Sequence, residues 1–394
     1  MQTTLPTNGQ NPTPMFNPRT APLKLLPDQP ESWHNVPRDK PLAFDAAAKI
    51  ILDAAEADGK REDVGAGALD KIALDYAPAD GQLVMIKTEQ VGNELRPASA
   101  PFAVRRAAFV QLCERAGAPS DYMRRLPAML AKACLNHGMA TSAEGKSGMI
   151  RLARGEARAI VGARYAPLDD AQMIEVVREA FVKRDLDKGA IVRAVAVGPK
   201  TVLRVTWPTA GGMQVRAGDS IERGIDITNG ELGNSSIGVC PMIWRLVCSN
   251  GMRAWSSAGA SRNLHIGGGT KELLETLVDA VPAAINETLG LVDAMRVAVD
   301  RQIADISAEF DRLGTSFKLN TSEVRGVAVE ALRNAAPALP ESTSAQPLTR
   351  MFEQVPVTVY DVMNGITAYA QERGTDRRLE LEEIASVYLT QRTR

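Results

Sequence analysis

The amino-acid sequence predicts an α+β protein with a helical N-terminal part, a mostly antiparallel central sheet with a flanking helix, and a helical C-terminal region. The prediction rests on changes of periodicity along the chain. Helical spacing of apolar residues is most regular from residue 101, strand-like alternation extends from Gly148 to about residue 248, and helical spacing returns after residue 269. Of the 394 residues, 45% are hydrophobic and 24% charged, which is typical of a globular chain with two domains and a tail.

The N-terminal quarter predicts one helix and one strand. Residues 1–43 are rich in proline with scattered Asn, Thr and Gln. Such a composition cannot form a core alone, so we interpret this segment as an extended arm. Residues 44–100 predict a small helical or mixed region, with a helix over Phe44–Ala57 and a strand over Gln82–Thr88.

Residues 101–268 predict the α+β core domain. Helices over Phe102–Ala116 and from Ser120 to about Asn136 precede a β-hairpin that turns at Gly155-Glu156. An aspartate at position 169 or 170 is expected to cap the next helix. Strands then follow in close succession, over residues 190–198, 201–207, 212–217, 221–229 and 235–248.

Helical spacing dominates the C-terminal part. Residues 269–336 predict a long helical segment in which Pro282 causes a kink or a break, followed by a helix that Ser322 caps. A linker spans residues 337–347, and further helices fill residues 348–394. The sequence suggests no specific role for these helices.

The segment Ile237–Trp255 is the most informative part of the chain. It is apolar over most of its length, yet it carries Arg245 and Arg253 and breaks at Ser249-Asn250-Gly251. Asn-Gly favours a tight turn because both residues tolerate positive φ. The pattern predicts a buried strand that brings an arginine and a polar turn to the end of a sheet, where binding sites commonly lie.

A basic centre between acidic flanks predicts an anion-binding surface. Residues 101–206 hold 18 basic and 10 acidic residues, a net charge of +8, although the whole chain has a formal net charge of −1. Guanidinium groups bind phosphate in a bidentate manner, and a nearby tyrosine can stack on a base. The candidate nucleic-acid-binding residues are Lys146, Arg151, Arg154, Arg158, Arg164, Tyr165, Arg193, Arg204, Arg245 and Asn250.

Strand alternation leaves the arginines of the predicted hairpin free to face solvent. Replacing Arg151, Arg154 and Arg158 with glutamate is therefore expected to abolish binding while leaving the melting temperature nearly unchanged. Arg193 and Arg204 extend the same row if their strands join the same sheet. The alternative interpretation is a solvated sheet face that binds nothing.

No residue pattern predicts a catalytic centre, a metal site or a cofactor. The three histidines lack a second ligand at metal-binding spacing, and no serine lies in a G-x-S-x-G elbow. Asp169 and Asp170 form the best carboxylate pair, and helix capping is the favoured interpretation. A metal-dependent phosphodiesterase that uses these aspartates or Asp226 is the less favoured alternative.

The cysteines and the hydropathy indicate a cytoplasmic protein without a membrane partner. Cys113, Cys134, Cys240 and Cys248 show no C-x-x-C spacing and lie in apolar runs, so we expect reduced core residues. No apolar run reaches the roughly 18–20 residues that span a bilayer. The N-terminus also lacks the charged and apolar regions of a signal peptide.

Several motifs follow one another in an order that resembles a known family. They are Gly117–Leu126, Leu135–His137, Arg158–Asp170 and Arg245–Gly251, the last of which reads Arg-Leu-Val-Cys-Ser-Asn-Gly. Over roughly residues 100–310 the chain resembles the phage- and plasmid-associated family of domain of unknown function 932 (DUF932). The resemblance implies a mobile-element context and no known reaction, and the acidic helical C-terminus has no counterpart in the family pattern.

The charge pattern and the resemblance together favour a nucleic-acid-binding protein that lacks catalysis. We expect it to bind or anneal single-stranded DNA during recombination or replication, as a homo-oligomer. The alternative is an oligomeric structural or assembly protein of a mobile element, which associates through the arm and the long helices.

Overall fold

The computed structural model describes residues 16–36, 40–69, 72–91, 94–141, 147–208, 213–233, 235, 237–246, 250–254, 261–263, 270–337 and 348–394. The chain divides into two units. The first unit comprises residues 1–29 and 58–165, and the second unit comprises residues 30–57 and 166–394.

The described strands are β1 (Ser32–Asn35), β2 (Leu42–Ala43), β3 (Arg61–Ala68), β4 (Ile72–Tyr76), β5 (Leu83–Val91), β6 (Glu94–Pro97), β7 (Phe102–Val104), β8 (Ser147–Ala153), β9 (Glu156–Val161), β10 (Ile191–Val197), β11 (Thr201–Thr206), β12 (Met213–Arg216), β13 (Asp219–Asn229), β14 (Ile237–Arg245), β15 (Asn250–Arg253) and β16 (Ser261–Asn263). The described helices are α1 (Phe44–Asp58), α2 (Arg106–Arg115), α3 (Ser120–Met123), α4 (Ala128–Thr141), α5 (Asp170–Lys183), α6 (Thr270–Asp300), α7 (Ile306–Ser316), α8 (Thr321–Ala335), α9 (Leu348–Gln354), α10 (Val359–Ala370) and α11 (Thr375–Thr393). None of the helices in the described ranges is both long and apolar enough to cross a membrane.

The first unit is built on a sheet with the strand order β3-β8-β9-β7-β5-β4, and β6 pairs with β5. Its pairs are antiparallel except for the parallel pair of β7 and β9. Ile150, Leu152 and Ile160 of the hairpin pack with Phe109 and Leu112 of α2 in the apolar core. The hairpin is therefore fixed on one face by helix packing.

The second unit is built on an antiparallel sheet with the strand order β1-β10-β11-β13-β14-β15, to which β2, β12 and β16 are added. Leu203 and Ile225 lie on one face, in a core with α5 and with Leu277 of α6. Arg204 of β11 lies opposite Asp226 of β13 in the register. Since side chains alternate along a strand, these two charged residues lie on the other face.

The predicted α+β class is confirmed. The observed β10, β11, β12, β13 and β14 differ from the predicted strands by a few residues at each end. The hairpin of β8 and β9 and the helix after Asp169 also form as expected. At that helix the predicted cap is present, because the side chain of Gln172 accepts a hydrogen bond from the backbone N–H of Asp169 (3.1 Å) in a capping box.

The N-terminal segments are more strand-rich than the sequence indicates. Residues 61–97, expected as a mixed region, form β3 to β6, and β3 pairs with β8 of the hairpin. This long-range pairing places them in one unit with the hairpin, so the structure groups segments differently from the predicted domains 44–100 and 101–268. Part of the expected arm is also regular, because Ser32–Asn35 pairs with β10. Residues 1–15 and 37–39 of the arm lie outside the described residues.

Two helix boundaries near residues 102–128 differ from the prediction. Phe102–Val104 is a strand, and α2 begins only at Arg106, because residues 102–104 pair with both β5 and β9. The expected helix from Ser120 is divided by Pro127, whose carbonyl accepts from the N–H groups of Leu130 and Ala131 as α4 begins. Proline fits the start of a helix because the first N–H groups have no helical acceptor.

Pro282 does not divide α6 into two helices, which was one of the two expected outcomes. A proline has no N–H, so the carbonyl four residues earlier, that of Val278, loses its helical donor. Arg184 Nε donates to that carbonyl oxygen at 2.9 Å. This bond replaces the missing donor, and the chain leaves the helix only after Asp300.

The last helices also depart slightly from the prediction. Asn320 rather than Ser322 caps α8, since its side chain accepts from the N–H groups of Ser322 (3.0 Å) and Glu323 (3.1 Å). Val359, Tyr360 and other apolar residues of α10 and α11 form a second core of the unit. Residues 338–347 of the predicted linker lie outside the described part of the chain.

Candidate nucleic-acid interface

The tip of the hairpin carries an exposed arginine. Arg154 and Gly155 link β8 to β9 with φ angles of 53° and 73°, which is typical of a two-residue turn with positive φ at both positions. The stem of Arg154 occupies the space in which a side chain at Gly59 would lie. Gly59 therefore supports the stem of Arg154, while residue 154 as a whole is exposed to solvent.

The other two hairpin arginines are buried, which corrects the expectation that they face solvent. Arg151 is fully buried, and its Nε lies 3.1 Å from Asp63 Oδ1. Arg158 is 3% exposed, with its Nη1 3.8 Å from Asp58 Oδ2. Replacing either with glutamate would bring two carboxylates together in a buried place. We therefore expect both substitutions to lower the melting temperature, in place of the almost unchanged value expected from the sequence.

Asp58 is the centre of this buried charge cluster. Arg105 Nη1 donates to Asp58 Oδ1, and Arg61 Nη1 donates to Oδ2, both at 2.6 Å. Burial alone would raise the pKa of Asp58, but the hydrogen bond and charge of Arg105, with the charges of Arg61 and Arg158, hold it below its ordinary value of 3.8. The carboxylate stays ionised and holds the guanidinium groups of Arg61, Arg105 and Arg158 around it.

The remaining candidates of the first unit are Arg164 and Tyr165, which follow β9, and Lys146, which precedes β8 in the sequence. Arg164 is exposed, and Tyr165 is half-buried with the Arg151 guanidinium carbon 5.7 Å from its ring centroid. Lys146 lies outside the described residues. Arg154 and Arg164 flank β9 at its two ends, so several nucleotides of an extended strand would be needed to contact both.

The candidates from the second unit do not extend this row, because their strands belong to a different sheet. Arg193 is 3% exposed and contacts Glu222 through Nε (2.8 Å) and Nη2 (2.6 Å). Arg204 has no exposed surface and donates to Asp226 (3.2 Å) and to Glu382 of α11 (3.0 Å). Glu382 of α11 covers Arg204, and both arginines form buried ion pairs and are not on the surface.

Arg245 and Asn250 also differ from the expectation. Arg245 is 6% exposed, and its Nε donates to both carboxylate oxygens of Asp219, at 2.8 and 2.9 Å. Asn250 and Gly251 do not form a turn but begin β15, where they pair with Arg245 and Trp244. Residues 247–249, between β14 and β15, lie outside the described part.

The sequence interpretation missed an exposed surface on α3 and α4. Tyr122 is 54% exposed, and Arg124 and Arg125 beside it are exposed as well. On the next helix Met129 and Leu130 are about half exposed. We call these five residues the α3–α4 surface. The signal that could have revealed it is the Tyr-Met-Arg-Arg run, which combines an aromatic ring with two adjacent arginines.

The two units differ in net charge. The first unit contains 18 basic and 13 acidic residues, a net charge of +5, and the second contains 28 and 34, a net charge of −6. The positive charge predicted for residues 101–206 thus belongs mainly to the first unit. A polyanion would be attracted to this unit and repelled by the other.

The aspartates considered for catalysis have structural partners. Asp170 accepts from Thr201 Oγ1 (2.6 Å) and Asn229 Nδ2 (2.8 Å), and Asp226 pairs with Arg204. Asp169 caps α5. Among the residues that the structure describes, no group of three or more His, Cys, Asp or Glu side chains is arranged to hold a metal ion.

Comparison with known proteins identifies one family. The sequence profile of a family described as domain of unknown function (DUF932) matches residues 157–390, which is more than half of the chain. The match begins later than the resemblance over residues 100–310 and includes the C-terminal helices, which were expected to have no family counterpart. No curated protein and no solved structure matches the chain.

Proposed function

The chain belongs to the DUF932 family, and we propose that it is a non-catalytic nucleic-acid-binding protein that contacts single-stranded DNA through its first unit. Its proposed setting is recombination or replication of a phage or plasmid, with the protein acting as a homo-oligomer. The family match covers residues 166–390 of the second unit but not its residues 30–57, and most of the first unit precedes the match. The proposed contacts therefore lie mainly outside the family's shared region.

The observation that carries the proposal is the combination of positive charge and the exposed aromatic ring of Tyr122 on the first unit. This unit has a net charge of +5, and Arg124, Arg125, Arg154 and Arg164 are all exposed. Tyr122 is exposed in α3, and Arg124 and Arg125 follow directly after the end of this helix. Arginines that attract phosphates and rings on which bases stack are the two elements of sequence-independent single-strand binding.

The buried arginines have a different role in this proposal. Arg151 and Arg158 hold the hairpin through Asp63 and Asp58, so they fix the backbone from which Arg154 projects. Arg193, Arg204 and Arg245 pair with carboxylates within the second unit. Removing them would change stability rather than phosphate contact.

The proposal is tested by fluorescence anisotropy with a labelled single-stranded oligonucleotide and the matching duplex across a salt series. Arg124→Glu, Arg125→Glu and Arg154→Glu are combined in one variant. The matched control carries the same change of charge on the second unit, at the exposed residues Lys49, Lys183 and Lys188.

We expect the wild-type protein to prefer the single strand and to lose affinity steeply with salt. The first-unit variant should bind at least about tenfold more weakly, because three phosphate contacts are lost, while the control stays within about twofold. Absence of binding at micromolar protein and low salt would reject the function. Equal weakening of both variants would reject the assigned surface.

A role in assembly is the second candidate, favoured by the exposed apolar part of the α3–α4 surface. Met129 is 51% and Leu130 48% exposed, and apolar side chains of this size are common at contacts between copies of a chain. Analytical ultracentrifugation of Met129→Lys with Leu130→Lys distinguishes the two roles. Loss of an oligomer without loss of DNA affinity favours assembly as the purpose of this surface.

A further inference from the structure

A cavity of about 300 Å³ lies in the second unit, beside the end of the strand that carries the family motif. The two-residue turn at Ala217 and Gly218 between β12 and β13 forms one side, and α8 and α10 form the other. Arg245, the first residue of the motif, lines it. The cavity is independent of the proposed DNA contacts, which lie in the first unit.

The polar groups on the inner side of the cavity are held rigidly. The carboxylate of Asp219 accepts a hydrogen bond from Arg245 Nε (2.8 Å) and another from the Tyr360 hydroxyl group (2.9 Å). Arg216 lies with its guanidinium carbon 5.2 Å from the Tyr360 ring centroid and donates to Asp361 Oδ1 at 3.1 Å. Side chains fixed by several partners lose little entropy when a ligand binds, so this cavity is preformed.

The lining carries three guanidinium groups, those of Arg216, Arg245 and Arg333. Their carboxylate partners are Asp361, Asp219 and Glu330 respectively, so the charges of this wall balance. The side chain of Arg333 is 64% exposed, and its hydrogen bond to Glu330 uses Nη1. Its position and exposure place a guanidinium group within reach of a ligand entering from solvent, and guanidinium groups bind carboxylates and phosphates well.

The remaining walls are apolar or uncharged. Ala217, Pro337 and Ala368 contribute small apolar surfaces, and the amide of Asn364 adds a polar group. The volume corresponds to about ten non-hydrogen atoms, taking the share of a water in the liquid as a guide. A charged head group alone would leave much of this space unfilled, whereas a head group with a small planar or apolar body would fill it.

We propose that this cavity binds a small organic oxyanion, a carboxylate or a phosphate monoester with a planar or apolar body. Arg333 binds the anionic group, Arg216 lies beside it, and the body lies against Ala217, Pro337 and Ala368. Asn364 orients the ligand by its amide. Recognition of a metabolite of this class would give the family domain a ligand of its own, separate from DNA.

The test is isothermal titration calorimetry of the full chain with phenyl phosphate and benzoate, and with inorganic phosphate as the comparator. Ala368→Met fills the cavity, and Arg333→Gln removes the charge at its entrance. Arg325→Gln is the matched control, because Arg325 is exposed on the same helix and does not line the cavity. Thermal melting establishes that each variant is folded.

We expect at least one organic probe to bind with a dissociation constant of about 1 mM or lower, and inorganic phosphate to bind at least about fivefold more weakly. Arg333→Gln should weaken binding at least about fivefold, Ala368→Met should abolish it, and Arg325→Gln should leave it unchanged. No heat with either organic probe up to about 10 mM would overturn the proposal. Binding that Arg333→Gln leaves intact, or equal binding of inorganic phosphate, would overturn it too.

Discussion

The guanidinium group of Arg204 lies against the backbone of Gly251. A Cβ atom at Gly251 would be 2.9 Å from Arg204 Nη1 and 3.2 Å from an indole carbon of Trp244. The φ of Gly251 is not positive, so the glycine is required for space and not for backbone conformation. Gly251 therefore accommodates a buried arginine of β11, although β13 and β14 lie between β11 and β15 in the strand order, and it does so where a turn was expected.

We predict that Gly251→Ala destabilises the second unit by about 1–3 kcal/mol, because an added methyl group has to displace a fully buried guanidinium group or an indole ring. Urea denaturation followed by circular dichroism measures this change. Gly290→Ala is the control, since Gly290 lies in α6 and a Cβ there has nothing within 4 Å. The control should be neutral or slightly stabilising. Equal effects of the two substitutions would contradict the close approach of Arg204.

Asp226→Asn should lower the free energy of unfolding by about 3–5 kcal/mol, because it leaves the buried Arg204 without part of its counter-charge. Both side chains are completely buried. The comparison is Asp53→Asn, which breaks an exposed ion pair with Lys49 on α1. That change should cost about 0.3–0.5 kcal/mol. Similar losses in the two variants would show that Arg204 and Asp226 are not buried as a pair.

Asp58 should make the stability of the first unit depend on acid pH. Its pKa in the folded protein lies below its ordinary value, so the unfolded chain takes up the proton first as the pH falls. The contribution of the ionised Asp58 to the free energy of unfolding is complete above about pH 5. It decreases as the pH falls below about 4 and is lost once the pH has passed through the lowered pKa. Asp58→Asn should therefore be less stable than the wild type at pH 7 and approach it in acid.

Denaturation midpoints from pH 7 to pH 2.5 measure this dependence. Glu94→Gln, which removes an exposed carboxylate paired with Arg96, is the control and should follow the wild-type curve. A constant difference between the wild type and Asp58→Asn at every pH would contradict the lowered pKa.

Cys134 should react with a thiol reagent much faster than Cys113 or Cys240. Cys134 is exposed, contrary to the expectation of a core residue, whereas the other two are buried. Burial raises the pKa of Cys113 to about 12, so little thiolate forms at neutral pH. The experiment uses a protein that carries Cys248→Ser, because Cys248 lies outside the described residues and its own reaction would complicate the comparison. One fast thiol that Cys134→Ser removes is expected, and a second fast thiol would contradict the burial of the other two.

The sequence predicted the elements whose signals are local. The strands from β10 to β14 alternate regularly and are separated by Gly- or Pro-containing segments, and Asp169 stands where a capping residue is expected. Pro127 shows the limit of such signals. Pro127 precedes the start of a helix, whereas Pro282 lies within one. The position within a helix is satisfied by Arg184, which donates to the carbonyl that Pro282 leaves without a donor. Arg184 is almost one hundred residues away from Pro282 in the chain, so no local signal reveals it.

The arginines could not be assigned from the sequence because their partners are remote. Glu382 pairs with Arg204 across 178 positions, and Asp63 pairs with Arg151 across 88. Alternation correctly placed charged residues on one face of a strand, but which face is covered depends on the helix that packs there. The predicted row of arginines was therefore divided between two sheets, while Tyr122 and its neighbours were left out.

Hydrogen–deuterium exchange of the full chain with and without a single-stranded oligonucleotide tests the proposed DNA contact most directly. We expect slower exchange in α3, in the first turns of α4 and around the turn at Arg154, with little change in β10, β11 and β14. Protection confined to the strands of Arg193, Arg204 and Arg245, or no protection at a concentration that saturates binding, would contradict it.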